Sequence, residues 1–343
     1  MKRESLSRLA CPDCECGFEP QNISWKAGEI ESGALACTRC GVRFEIVNFV
    51  PRFVAPNNYA ENFGFQWNRF RRTQLDSYSG TKVSFERFQN ETGWNKDTLR
   101  GGHVLDAGCG AGRFAEIALS LGATVYAIDY SRAVDACYAN LGAHPNLHVF
   151  QADIYHLPFP AEAFDCIYSL GVLQHTPDPL RAIDSLVRHL KPGGSIVVDF
   201  YIARWINIFH AKYILRPIST RLSGRALFSV IERAVPYLLP LSDAVASLPW
   251  IGAPLSRMVP VANYRGKLPL NHTQLAEWAI LDTFDWLSPA YDHPHSAKKL
   301  KNCLERNGLE NIEVGKVGHL VGRGRRPARR EAPFLSAAQA IAR

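Results

Sequence analysis

Four cysteines carry the plainest chemistry in the chain. Cys11-Pro-Asp-Cys14 and Cys37-Thr-Arg-Cys40 are two C-x2-C pairs separated by 22 residues. Each pair suits a tight knuckle whose two thiolates face one ion. Two knuckles complete a tetrahedral S4 site, which suits zinc. Gly17 and Gly41 follow the knuckles, where the backbone must turn sharply. Cys16 competes for the first knuckle, and the symmetric pairing favours Cys14. Four protein ligands leave no open position for catalysis, so the expected zinc is structural. It would fold about 50 residues that have little core of their own.

A second constellation starts at residue 103. In His103-Val-Leu-Asp-Ala-Gly-Cys-Gly-Ala-Gly-Arg-Phe114 a buried strand runs into a glycine turn and then a helix. Gly108, Gly110 and Gly112 let the backbone turn tightly and approach a ligand closely. A second strand, Thr124 to Asp129, ends in an acid 19–21 residues after the first two glycines. Dinucleotide folds place a ribose-binding carboxylate at that distance. A third strand, Leu147 to Asp153, ends in another acid, and a fourth, Phe164 to Leu170, leads into Gly171-Val-Leu-Gln-His175. A helix from Asp178 to Leu190 carries Leu180, Ile183, Leu186, Val187 and Leu190 on one face and stops at Lys191-Pro-Gly-Gly194. A fifth strand spans Ser195 to Tyr201. Strands alternating with helices imply a parallel sheet covered on both faces. An NAD-dependent oxidoreductase is a poor fit, because the third glycine of G-x-G-x-x-G would fall on Arg113.

The series V-L-D-A-G-C-G-A-G-R-F, V-Y-A-I-D-Y-S, Q-A-D-I, F-D-C-I-Y-S-L-G-V-L-Q-H and L-K-P-G-G resembles class I S-adenosylmethionine (SAM) methyltransferases. Among them it is similar to the type 11 group that includes ubiquinone and menaquinone C-methyltransferases. The resemblance covers 103–201 well and says little about 202–292. It implies an α/β, Rossmann-like seven-stranded sheet, with the zinc ribbon ahead of it and a mainly helical insertion after strand five. It also implies roles. Asp106 would orient the glycine loop or reach the methionine ammonium. Gly108, Gly110 and Gly112 would line the methionine part of SAM. Asp129 would accept both ribose hydroxyls, using the two oxygens of a carboxylate. Tyr130 would lie against adenine, Asp153 would accept from its amino group, and Ile154 would sit beside the ring. Leu170 and Gly171 would border the sulfonium. The ribbon itself resembles modules that activate, or are fused to, methyltransferases.

His175 is the first candidate for a proton-accepting group, since an imidazole titrates near neutral pH and follows the fourth strand. Tyr201, Tyr291 and His293 are secondary candidates. The last two belong to Asp282-Thr-Phe-Asp285-Trp286-Leu-Ser-Pro-Ala-Tyr291-Asp292-His293-Pro-His295, read here as an acceptor loop. His293-Pro-His295 has no helical spacing to converge two rings on a metal. Gln66, Trp67 and Tyr78, in an aromatic-rich stretch, are candidate lid residues.

The elements divide the chain into a ribbon (1–56), a lid or linker (57–100), a SAM-binding core (101–201), a helical insertion with the acceptor loop (202–295), a closing helix and β-hairpin (296–325) and a basic tail (326–343). The closing helix is expected from Ser296 to Asn307, and the hairpin from Asn311–Val317 and His319–Val321. In the insertion, Pro236, Pro240, Pro249, Pro254 and Pro260 are expected to break the chain into short pieces.

Charge is uneven. The net charge is +7, and Arg323, Arg325, Arg326, Arg329 and Arg330 supply five of it. Between Arg204 and Arg257 there are seven basic residues against Glu232 and Asp243, set among apolar ones such as Trp205, Ile206, Ile208 and Phe209. Such an insertion suits a lid over a hydrophobic pocket, or a surface resting on an anionic membrane. The expected acceptor is a small or lipid-like metabolite. RNA is the alternative, since large-subunit rRNA guanine methyltransferases also join a zinc ribbon to this fold. A non-catalytic SAM-fold module is a third reading. No apolar run approaches the roughly 20 residues of a membrane-spanning helix. The start, Met-Lys-Arg-Glu-Ser, has no apolar stretch of a secretory signal. A cytoplasmic location with reduced thiols is therefore expected.

Overall fold

The computed structural model describes residues 1–55, 58–203 and 210–329. Arg204, Trp205, Ile206, Ile208, Phe209 and Arg330 lie outside the described residues.

After a short 3-10 turn, Arg3–Arg8, the ribbon forms an antiparallel meander of β1 (Phe18–Lys26), β2 (Glu29–Cys37), β3 (Arg43–Val47) and β4 (Val50–Pro51). It is not a free module. Phe18, Leu35 and Phe53 share one apolar cluster with Phe150 and Phe159 of the following domain. The Phe53 N–H donates to the Gln151 carbonyl at 2.7 Å, and the Arg52 guanidinium meets Asp135 at 2.5 Å. Burying those rings against the next domain supplies the core that the ribbon lacks.

Four helices precede the main sheet: α1 (Glu61–Arg69), α2 (Asp76–Ser79), α3 (Val83–Thr92) and α4 (Lys96–Leu99). The sheet then alternates with helices: β5 (His103–Ala107), α5 (Arg113–Ser120), β6 (Thr124–Asp129), α6 (Ala133–Leu141), β7 (Leu147–Gln151), β8 (Phe164–Ser169), α7 (Pro179–His189) and β9 (Leu190–Phe200). Asp178 caps α7 by accepting the Arg181 N–H at 3.1 Å, with Pro179 at the first helical position. β9 begins earlier than the expected Ser195, because Leu190 pairs with Phe164 ahead of the irregularity at Cys166.

The insertion is helical: α8 (Ala211–Ser219), α9 (Gly224–Ala246), α10 (Gly252–Leu255) and α11 (His272–Leu287). Two expectations fail here. Pro236 and Pro240 do not break the chain; α9 runs through both for 23 residues. Both prolines are exposed, so water can satisfy the carbonyls whose helical donors are lost. The acceptor loop is also half helix. A capping box at Asn271 and Gln274 starts α11, and the helix carries Asp282 and Asp285 before ending at Leu287. The chain closes with α12 (Ala297–Arg306), β10 (Glu310–Val317) and β11 (His319–Arg325).

The strand order is β10-β11-β9-β8-β5-β6-β7. β5 to β9 are parallel, and the closing hairpin is antiparallel to β9. The order reverses beside β5, between β6 on one side and β8 on the other. A crevice must open at that switch point, outside the carboxyl ends of the strands.

Candidate active site

Two hollows meet in that crevice. The first is lined by Tyr59, Phe63, Asp129, Tyr130, Asp153 and Ile154. The second, of about 680 Å³, is bounded by Trp67, Arg113, Tyr201, Trp278, Asp282 and Asp285. Gly108, Gly171 and Val172 line both.

The junction is built for close approach. Gly108 has φ +96°, and a Cβ there would lie 2.4 Å from the Val172 methyls. A Cβ on Gly110 would stand 3.1 Å from the Trp67 indole. Gly112 differs: a Cβ there would meet Leu141 at 2.8 Å and Cys137 at 3.2 Å. Gly112 lines neither hollow, so it serves the packing of α5 on α6, and its assignment to the ligand is corrected.

The acids sit at the strand ends. Asp129 accepts the Gly110 N–H at 3.0 Å through Oδ2, and the Ser131 N–H and hydroxyl at 2.8 and 2.7 Å through Oδ1. This fixes the carboxylate and the glycine turn together, and Oδ2 retains a lone pair. Asp153 turns its own loop, with Oδ1 accepting the Tyr155 N–H at 2.9 Å. Tyr130 stacks on Tyr59 at 5.0 Å. Asp106 is 2% exposed, and its Oδ2 has no partner. Burial pushes its pKa up to about 8. Leu170 lines the second hollow beside Gly171.

Gly171 is held from below. Its N–H donates to Asp199 at 2.5 Å, and Asp199 pairs with Arg87 at 2.8 Å. Arg87 also meets Glu91 at 3.0 Å, and Glu91 meets His319 at 2.9 Å. Glu91, Asp199 and His319 come within 4.8 Å of one another, a grouping that resembles a cation site. Arg87 already sits against both carboxylates and supplies the positive charge, so the cluster is a clamp that ties α3, β9 and the hairpin together.

The proton-handling candidates rearrange. His175 is 5% exposed and sits between Phe63 and Tyr201. Its Nδ1 pairs with the Tyr291 carbonyl at 3.0 Å, so that nitrogen carries the proton. Burial pulls its pKa down to about 4. It lines the first hollow as a neutral imidazole, and its buried Nε2 has no hydrogen-bond partner among the described residues. Tyr291 and His293 line neither hollow. Tyr291 holds His175 with its backbone, and its ring stacks on His293 at 5.9 Å. Tyr201 does line the second hollow, and the Lys212 ammonium lies 4.3 Å from its ring centre. Lys212 is itself buried, paired with Asp292 at 2.9 Å. Of the lid candidates, Trp67 covers Gly110, while Gln66 is buried and reaches Asp285 at 3.4 Å. Tyr78 is 42% exposed and stacks with Arg72, away from both hollows.

The expected acceptor run brings Asp282, Asp285 and Trp286 to the second hollow. Asp282 and Asp285 are one helical turn apart and face the same hollow. Asp282 is held through both oxygens: it accepts from Tyr264 at 2.5 Å and from Gln74 at 3.2 Å. Asp285 accepts from the Gln66 amide at 3.4 Å, and the Tyr201 hydroxyl favours its charged form. Burial raises both carboxyls to about 6. Sequence reasoning missed Arg87, Arg113, Tyr59 and Tyr264; each comes from an element distant in sequence.

The cysteines form the second site. The Sγ atoms of Cys11 and Cys40 are 3.7 Å apart, and those of Cys14 and Cys37 are 3.3 Å apart. All four lie within 4.8 Å of one another. A tetrahedron with Zn–S bonds of about 2.3 Å has edges of about 3.8 Å. Cys16 is outside the group; its carbonyl accepts the Cys11 N–H at 2.8 Å. The backbone N–H groups of Cys40 and Arg39 pull the Cys37 thiol down to about 6, while burial pushes Cys11 up to about 12.

The strand order and the glycine turn define a class I methyltransferase domain. Residues 105–198 match the methyltransferase domain family. The ubiquinone biosynthesis O-methyltransferase of Coxiella burnetii is 38% identical over 101 residues, 29% of this chain and 43% of that protein. The methyltransferase GfsG of Streptomyces halstedii is 29% identical over 170 residues, 46% of this chain and 61% of that protein. The matched region thus spans less than half of the Coxiella relative. A crystal structure of an S-adenosyl-L-methionine-dependent methyltransferase from Methanococcus maripaludis aligns with TM-score 0.43 and 13% identity, over 81% of this chain and 98% of that one.

SAM fits the residues present. Asp129 Oδ2 accepts one bond, from Gly110, and has capacity for a ribose hydroxyl, and Asp129, Tyr130, Asp153 and Ile154 line one hollow that a nucleoside would fill.

Proposed function

We propose that this chain is a SAM-dependent methyltransferase whose acceptor is a small or lipid-like metabolite with an apolar body. The observation that carries this reading is the second hollow. It is walled by three indoles and two phenols, carries Asp282 and Asp285 with Glu91, Arg87 and Arg113, and joins the first hollow at Gly108, Gly171 and Val172. Such a site recognises a compact apolar molecule through a few polar groups.

When bound, SAM supplies an electrophilic methyl at the junction. The chain must then hold the acceptor in line and take its proton. Asp285 is the proposed base. Its raised pKa keeps it near the working range, and Tyr201 and Gln66 orient it. As the acceptor atom takes the methyl, its proton passes to the Asp285 carboxylate. The Arg87–Asp199 clamp fixes Gly171 beside the reacting centre, and Trp67 shields the turn from water. Zinc, proposed for the four thiolates, has no part in this step.

The tail arginines speak against RNA. Arg323 donates to the Asn90 and Glu91 carbonyls, Arg325 to Gly193, Arg326 to Leu190 and Glu162, and Arg329 to Glu162. These cations are committed within the fold, so they do not form a free phosphate-binding patch.

The reading is tested by titrating SAM calorimetrically into the wild type and Asp129→Ala. The variant loses a ribose hydrogen bond to a charged group and the lock on Gly110. At about 1.5–3 kcal/mol for such a bond, affinity is expected to fall more than tenfold. Equal affinity in a folded variant would remove Asp129 from the site, and no SAM binding by the wild type would remove the function.

A further inference from the structure

The insertion leaves an apolar surface that the methyl-transfer reading does not use. Among the described residues, eleven of the fourteen large hydrophobic side chains that stand exposed lie between Ile214 and Met258. They are ordered. Ile214, Ile218 and Leu222 recur every fourth residue along α8 and the turn after it. On α9, Leu227, Ile231, Val235 and Leu239 face inward, yet Val230, Tyr237 and Leu241 face outward and are at least half exposed. Exposed apolar side chains interleaved with cations on one helix face suit the interface of an anionic membrane. Both helices rest on α11, so their outer stripes have no protein cover. Beyond them Trp250 is 100% exposed, at a turn with φ +67°.

Charge identifies what covers this face. Glu232 and Asp243, the two acids of the segment, are already paired with Arg69 and Arg265. Arg221, Arg225, Arg233 and Arg257 are exposed and have no ion-pair partner among the described residues. The face therefore carries free cations, neutralised anions and unburied apolar side chains. We infer that the outer face of α8, α9 and α10 is a docking surface for an anionic lipid bilayer. The apolar stripes and Trp250 would enter the interface while the arginines engage the headgroups. No helix among the described residues is long and apolar enough to cross a membrane, so the contact is peripheral. Tyr264, Trp278 and Trp286 of the same insertion wall the second hollow. Docking would thus set that hollow close to a lipid-borne acceptor.

Flotation of the full chain with vesicles tests this without SAM or acceptor, so its outcome is independent of the methyl-transfer reading. The protein is expected to float with vesicles of equal phosphatidylglycerol and phosphatidylcholine at low salt, and to be released at high salt or with phosphatidylcholine alone. At about fivefold per arginine, Arg221→Gln, Arg225→Gln and Arg233→Gln together should lower partitioning about a hundredfold. Tyr237→Ser with Trp250→Ser should weaken binding to the same vesicles at every salt. These side chains are exposed, so unchanged thermal unfolding serves as the folding control. Failure of the wild type to float on anionic vesicles would overturn the proposal, as would equal flotation of the triple variant. A reversible dimer lost in Tyr237→Ser, with no flotation, would assign the face to a second copy instead.

Discussion

Asp285→Asn is expected to lower kcat by about 10²–10⁴ while leaving SAM affinity within a few-fold of the wild type, the loss typical of removing a positioned general base. The pH dependence carries a second signature. The folded-state pKa of Asp285 is raised to about 6 by burial. The carboxylate accepts a proton only when ionised, so kcat/KM should rise with pH through about 6, and this limb should vanish in the variant. Stability runs the other way. A raised carboxyl pKa means that the folded chain binds more protons than the unfolded chain between about 4 and 6, so this group's contribution falls as pH rises through that window. Asp285→Asn should therefore be no less stable than the wild type at pH 7. A variant that keeps its rate and its pH limb would move the base elsewhere in the hollow. Tyr201→Phe is the companion: it should cost less in kcat and shift the limb to higher pH, since the hydroxyl favours the charged carboxylate.

Cys11→Ser is expected to abolish stoichiometric zinc and unfold the ribbon. Structural zinc in small modules contributes on the order of 10 kcal/mol of folding free energy, and one missing thiolate opens the S4 site. The damage should spread. Phe18, Leu35 and Phe53 share a cluster with Phe150 and Phe159, and β4 lies beside β7. The loop after β7 holds Asp153 and Ile154, so SAM affinity should fall as well, although no cysteine touches the cleft. Metal analysis, hydrogen exchange over 1–55 and 147–154, and SAM titration read these effects together. Pure wild-type protein without zinc would end the metal assignment. Loss of the ribbon with full SAM affinity would show that the shared cluster is not needed for the cleft.

The parts of this protein that are local in sequence were readable from it. The cysteine pairs, the glycine turn, the acids at the ends of β6 and β7, and the closing helix and hairpin each depend on residues close together in the chain. The acceptor side depends on pairings that are not. Arg87 meets Asp199 across 112 residues, and His175 meets the Tyr291 carbonyl across 116. Its residue type suggested a base, and its burial lowers its pKa to about 4. Asp282 and Asp285 were placed in an acceptor loop, when that part of the run is the last turns of α11. The described basic residues Arg325, Arg326 and Arg329 have partners that lie far upstream, Glu162 and the carbonyls of Leu190 and Gly193.

Transfer of a labelled methyl group tests the central claim most directly. The full chain would be incubated with methyl-labelled SAM and, separately, with an organic-solvent extract of cells or with total RNA from the same cells, using Asp285→Asn as the control. Label entering the organic phase with the wild type, and reduced at least a hundredfold with the variant, is the predicted result. Label entering RNA instead, or entering neither fraction while SAM still binds, would contradict the account.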